Sequence, residues 1–331
     1  MPGSSSFATR PRNTTSARSR VGISSSHRSR SEPSPTTSSR RSGWASFSSG
    51  TARISVANVY NSDLPFPEGT PIRYLRVLQD IPKSNPQMDE PAAMGYHWEN
   101  TPRIPLGIVP VEEDGSVHFE APVERALIFQ VLDENYMAVQ TMRSVTHVQR
   151  GEHLSCAGCH EDPLTSPAAS ASIPLAMLRP PSPLEPELGT VEPVNFYRLV
   201  EPVFRDTCLP CHRQENAGPL DMSFEGLRPY VHYFGGGMRG EVMASNYGGS
   251  RSIPGRVGAR QSRLGRALLD ATHRDRVPAD AYRRVVLWLD ANALRLGAFY
   301  DEQRQMAGEL VWPKLDVDPA NPQGLERLEG P

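Results

Sequence analysis

The chain predicts an α+β, multidomain protein: a small β-sandwich-like domain followed by an α-helical domain. Three observations carry this reading. Residues 104–148 run as short apolar segments separated by polar turns. Residues 163–193 then hold eight prolines among Ala, Ser and Leu. Beyond them the apolar residues recur at helical spacing.

Taken in order, residues 1–53 predict a disordered, low-complexity N-terminus. Its first fifty residues hold seventeen serines, eight arginines and one acid, Glu32. Such a stretch buries too little apolar surface to offset chain entropy. It lacks the apolar core of a secretory signal, and its Arg/Ser-rich, acid-poor composition only superficially suits a transit peptide. An untemplated or misassigned start is the expectation here. These fifty residues carry +7, which leaves −9 for the other 281. An acidic body of that kind argues against a nucleic-acid partner, because phosphate binding needs a basic face. No run approaches 18 apolar residues, so no membrane span is predicted.

Residues 54–165 predict the β-rich domain. "RYLRVLQDIP" (73–82) has the apolar spacing of one strand, and Asp114-Gly115 between apolar runs signals a hairpin. Val117 and Phe119 alternate with Ser116, His118 and Glu120, as a half-buried strand requires. "ALIFQVLD" (126–133) suits a buried strand, "ENYM" supplies the next turn, and Cys156 follows on a loop. Residues 166–192 predict a Pro-rich, semi-rigid linker.

Residues 193–305 predict the helical domain. Phe196, Leu199, Val200, Val203 and Phe204 share one helical face, with a kink or fresh start at Pro202. Residues 262–273 and 278–293 predict two further helices, the second opened by Pro278 and carrying Val285, Trp288 and Leu289 as its stripe. Residues 306–331 predict a poorly ordered tail.

All four cysteines fall in two copies of C-x-x-C-H: Cys156, Cys159 and His160, then Cys208, Cys211 and His212. This is the attachment signature of c-type haem. Two thiols at that spacing reach the two vinyl groups of one porphyrin edge, and the next histidine falls under the ring where it can ligate iron. Zinc bound by all four thiolates is the alternative, but 48 residues separate the pairs against a usual gap of roughly 15–20. A pair of disulfides or a thioredoxin-like centre would need a βαβ setting that neither motif has. For the second iron the distal candidates are His273, His232, Met238 and Met243, with His273 preferred at the end of "LLDATH". Near the first motif, His118, His147 and His153 are candidate distal or acid/base groups, and Glu161 and Asp162 could tune that iron or hold a second metal; an exposed histidine or a solvated acidic pair is the plainer expectation for each.

"PVFRDTCLPCH" and the late apolar helix with Trp288 resemble the cytochrome c family over about residues 193–300. Read together, "PVEEDGSVHFEAP", "ALIFQVLDENYMAVQTMRS", "RGEHLSCAGCHE" and "LLDATHRDRVPADAYRRVVLWLDAN" resemble the hydrazine synthase alpha-subunit middle-domain family with an appended cytochrome c-like domain, over about residues 54–303. The resemblance implies exported multihaem proteins, with one C-x-x-C-H in the β-rich domain and one in the helical domain. Members commonly carry a large repeated β domain ahead of this region, where this chain has fifty low-complexity residues.

Two functional classes follow. The first is a dihaem electron-transfer protein with His212 and His273 on one iron, exchanging electrons with redox partner proteins. The second is a redox enzyme whose first haem has an open position and is fed through the second. A zinc-binding interaction module is the third and weakest. Thioether attachment occurs outside the bacterial cytoplasm, so a periplasmic or exported protein is expected, although the given N-terminus shows no signal. The sequence carries no sign of oligomeric state.

Overall fold

A computed structural model describes residues 51–82, 94–97, 100–159, 172–233, 252–316 and 325–327, all within the unit Ser42–Pro331. The fold is α+β. Its β-rich part holds two sheets. One has β1 (Thr51–Val56) at its centre, antiparallel to β4 (Val117–Pro122) and parallel to β7 (His153–Cys156). The other is antiparallel throughout, in the order β3 (Arg103–Pro110), β2 (Tyr74–Asp80), β5 (Leu127–Leu132), β6 (Ala138–Thr141).

Strand alternation explains how the sheets face each other. Ile54, Val56, Val117 and Phe119 from the first sheet share one buried cluster with Leu75, Val77, Leu127 and Val131 from the second. The rings of Phe119 and Phe129 meet edge-on at 5.9 Å across that core. The opposite face of the four-stranded sheet is covered by helices, so Arg76 and Gln130, which alternate with the core residues, are buried as well.

Three sequence expectations change here. Asp114-Gly115 does form a turn, but β3 and β4 lie in different sheets, so it is a crossover and not a hairpin. Cys156 closes a strand rather than sitting on a loop, because Val56 and Cys156 are register partners. The proline-rich segment, expected as a linker, packs on the sheets: Ile108 and Glu185 exchange backbone hydrogen bonds at 2.9 and 3.1 Å, and Ser182 bonds His118 and Glu120 at 2.9 Å each. Apart from a short helical turn at Leu175–Leu178 and a turn at Pro186–Gly189, prolines keep it extended, which leaves its backbone to pair with strand edges.

The helical part is a series of short segments. Pro202 starts a fresh helix, dividing α1 (Phe196–Leu199) from α2 (Glu201–Val203). A π-type turn over Phe204–Cys208 follows, and then α3 (Leu209–Glu215). After α4 (Phe224–Leu227) and α5 (Gly258–Gln261), the stretch expected as one helix divides into α6 (Arg263–Leu269) and α7 (Ala271–Arg274). Asp270 lies extended between them and caps α7 through the Thr272 N–H. The last long helix, α8 (Ala279–Asp290), opens after Pro278 and is supported by an Asp280–Arg284 pair at 2.8 Å. Its Trp288 is fully buried against Phe196 and Phe204 at 5.4 and 6.4 Å, and its indole N–H donates to the Leu294 carbonyl.

The helical part closes with α9 (Glu302–Met306), and within the region expected as a tail, 306–331, β8 (Lys314–Asp316) pairs with β9 (Leu325–Arg327). Gln305 anchors α9: its buried amide bonds Gly297, Ala298, Tyr300 and Asn195. Among the described residues no helix is long and apolar enough to cross a membrane.

Candidate functional site

The two motifs lie in separate cavities. The second cavity, about 450 Å³, lies between α3 on one side and α6 and α7 on the other. It is lined by Cys208, Cys211 and His212, by apolar Phe204, Met222, Leu227, Leu264 and Leu268, and by His273. The π-type turn widens the backbone immediately before the motif and ends at Cys208; such turns recur at functional sites. Burial, with Cys211 nearby, pushes the Cys208 thiol up to about 11, so it stays protonated at neutral pH.

His212 is held by the chain that follows it. Asn216 ends α3 in the left-handed conformation, and the Ala217 N–H returns to the His212 carbonyl at 3.1 Å. Gly218, at φ +66°, then passes under the imidazole. A Cβ there would stand 2.8 Å from Cε1 and 2.9 Å from Nδ1, so only glycine leaves the ring its place. Nδ1 is buried against this backbone without a hydrogen-bond partner.

His273 faces it across the cavity, with ring centres 6.1 Å apart and planes at 45°. Two imidazoles binding one metal from opposite sides, each at a metal–nitrogen distance of about 2 Å, would have ring centres about 6 Å apart. The observed spacing fits that arrangement. An apolar cavity with two thiols, and one imidazole on each side, fits a covalently held haem.

The first cavity, about 280 Å³, opens between the two sheets beside Cys156 and Cys159. The motif loop is pinned to residues 57–61 by three backbone bonds: Ala57 to Cys156, Asn58 to Ala157, and Cys159 to Asn61, at 2.8, 3.3 and 3.1 Å. Gly158 is required by the last of these contacts, since a Cβ there would collide with the Asn61 carbonyl oxygen. Burial, with Cys156 nearby, pushes the Cys159 thiol up to about 12. Val56, Leu75, Phe129 and Leu154 line one part of the cavity, and Gln140, Thr141, Ser144 and Thr146 another.

None of the four cysteines forms a disulfide. The pairs do not converge, and among the described residues no three His, Cys, Asp or Glu side chains gather as a metal site. His160, Glu161, Asp162, Met238 and Met243 lie outside the described residues. His232 is buried, with its backbone N–H on the Ser262 hydroxyl, and is not among the residues lining the second cavity. His147 is exposed. His118 and His153 stand on the outer face of the three-stranded sheet, their rings stacked at 5.6 Å, with His153 bonded to Ser55. Leu154 and Cys156 alternate with His153 and face the core, so those two histidines are on the wrong side to reach the first cavity.

Sequence reasoning missed the partners that hold these sites in place: Gly218, Gly158, and the Asp270–Thr272 pair beside His273. The Asp-x-Thr-His spacing was the available signal, since Asp commonly caps the N–H two residues on.

Residues 70–161 match the sequence profile described as the hydrazine synthase alpha subunit middle domain. The match covers 92 of the 331 residues. The segment runs from before β2 to just beyond the first motif, so Cys156, Cys159 and His160 lie within the matched residues and the second motif lies outside them. Among solved structures, the chain is similar to Kuenenia stuttgartiensis hydrazine synthase, with TM-score 0.51 and 15% identity over 74% of this chain. The likeness is one of fold. It extends beyond the middle domain, yet the chain spans only 43% of the length of that structure. No curated protein matches the chain.

Proposed function

We propose that the chain is a dihaem c-type protein that transfers electrons. In this reading Cys208 and Cys211 hold one haem through thioether bonds, with His212 and His273 as its axial ligands. Cys156 and Cys159 would hold the other, with His160, the next residue of the motif, as the candidate iron ligand. The carrying observation is the apolar cavity in which two thiols and two imidazoles meet, the imidazoles 6.1 Å apart. Bound haem would supply one-electron chemistry at iron, with a potential set by its ligands, its burial and nearby charge. The chain's own share is to bind the group by two thiols, fix the planes of two imidazoles and exclude water with Phe204, Leu264 and Leu268. The helical part is then a cytochrome c-like domain. Thioether attachment requires export, so the protein would work in the periplasm or beyond it, with redox proteins as partners.

The polar lining of the first cavity favours a second reading for that site alone. Ser144 and Thr146 offer hydroxyls to a small ligand on an open iron, which suits a redox enzyme rather than a pure carrier. The two cysteine pairs line separate cavities, and among the described residues no three His, Cys, Asp or Glu side chains gather, which weighs against the zinc alternative.

The test is a pyridine haemochrome assay with intact mass, on the chain expressed behind an exported leader with a c-type maturation system. Two haems add about 1.2 kDa by the stoichiometry of the paired motifs. No covalent haem in competent cells would overturn the reading.

A further inference from the structure

The second cavity contains a positioning device that acts through hydrogen atoms rather than through contact with the cofactor. Thr272 has one hydroxyl hydrogen. Its Oγ donates to Asp270 Oδ1 at 2.8 Å, and the same carboxylate oxygen accepts the Thr272 backbone N–H at 2.9 Å. Having given its hydrogen to Asp270, the Thr272 oxygen can only accept from His273 Nδ1, which lies 3.0 Å away. That places the imidazole hydrogen on Nδ1 and leaves Nε2 with a free lone pair, on a ring that lines the cavity 6.1 Å from His212. His212 differs: its Nδ1 has no such partner.

We infer that Asp270 and Thr272 are positioning residues that hold His273 in its metal-binding tautomer and so close the sixth coordination position of the second haem. The inference rests on the haem reading of this cavity. A reversed hydroxyl would donate to Nδ1 and move the imidazole hydrogen to Nε2, where it blocks ligation. The Asp270 carboxylate prevents that reversal. Partners that orient ligand histidines are commonly worth a tenfold to hundredfold change in ligand strength.

Thr272→Val keeps shape and removes the hydroxyl, while Thr272→Ser keeps the hydroxyl. Asp270→Asn retains an acceptor oxygen, and Asp270→Ala removes it. The readout is carbon monoxide binding to the reduced full-length haem protein, together with the low-spin fraction in the oxidised spectrum. A Cys156→Ala/Cys159→Ala background isolates the second haem. Thr272→Val and Asp270→Ala are expected to raise carbon monoxide affinity roughly tenfold and to add high-spin signal. Thr272→Ser and Asp270→Asn are expected to match the parent. Equal affinity across all five proteins would overturn the relay. Loss in Thr272→Ser as large as in Thr272→Val would also overturn it, by making the role one of packing. A parent protein without covalent haem would instead remove the reading on which the inference rests.

Discussion

Arg76 on β2 and Asp290 at the end of α8 are 214 residues apart in sequence and meet at 2.9 Å, with neither side chain exposed to solvent. Arg76 also makes a forked pair with Glu187 of the proline-rich segment, at 2.6 and 2.8 Å, and bonds Gln130 and the Tyr136 carbonyl. Asp290 accepts the backbone N–H groups of Ala138 and Ala259 as well. One buried network therefore ties the four-stranded sheet, the proline-rich segment and the helices together. Burial disfavours the charge on both Arg76 and Asp290; their mutual attraction and the surrounding donors oppose that cost.

Asp290→Ala should therefore destabilise the β-rich and helical parts alike. It leaves Arg76 with one carboxylate instead of two and strands two buried N–H groups, a loss of about 3–5 kcal/mol. Against a usual total of about 5–15 kcal/mol, that is a large fraction. Urea unfolding followed by tryptophan fluorescence and by far-ultraviolet circular dichroism should show one transition, shifted to lower denaturant by both probes. Two separated transitions in the parent chain would show that the network does not couple the parts.

If the chain binds the two haems proposed above, Gly158→Ala should remove the first and spare the second. The added Cβ meets the Asn61 carbonyl, so the loop must leave residues 57–61 and carry Cys159 with it. Intact mass should then report one covalent haem instead of two. Gly218→Ala gives the mirror result by a different route: the thiols keep their places but His212 is pushed from its plane, so the haem stays attached while its low-spin spectrum weakens.

On the same reading, His273→Ala should open the proposed second iron while leaving its attachment intact, because His273 supplies neither thiol. Carbon monoxide should bind the reduced variant readily and the parent poorly. Equal binding in both would remove His273 from the coordination sphere, whatever holds the opposite face.

Local chemistry made much of this legible. The strands at 74–80, 117–122 and 127–132 and the helix at 279–290 follow from apolar spacing and breaker residues, because burial on one face writes a period into the sequence. The cysteine pairs stand out in the sequence by their spacing alone, and the structure adds that each pair lines a cavity. Long-range pairing was not legible. Nothing in "HLSC" says that it joins β1 in parallel about a hundred residues away, and nothing in Asp114-Gly115 separates a hairpin from a crossover between sheets. The proline-rich segment reads as linker because its composition describes backbone stiffness, while its packing depends on strand edges elsewhere. His118 and His153 lie near the first motif in sequence, but strand alternation turns them to the opposite face of the sheet.

That outer pair predicts a pH dependence. His118 is buried beneath the short helical turn Leu175–Leu178, beside His153 of β7 and near Arg53 of β1. Burial, reinforced by those two neighbours, holds its pKa below the usual histidine value. In the unfolded chain it takes up a proton at about pH 6.5. The folded state resists that proton, so below about pH 6.5 the unfolded state binds more protons and stability falls as pH falls. Above that pH both states are neutral at this site, and its contribution is complete. Urea midpoints measured from about pH 7.5 down to about pH 5 should therefore decline in the parent chain, and His118→Gln should flatten part of that decline while leaving the midpoint at the upper end less changed. An unaltered slope in the variant would mean that His118 protonates as easily folded as unfolded, and that the turn above it gives way to water.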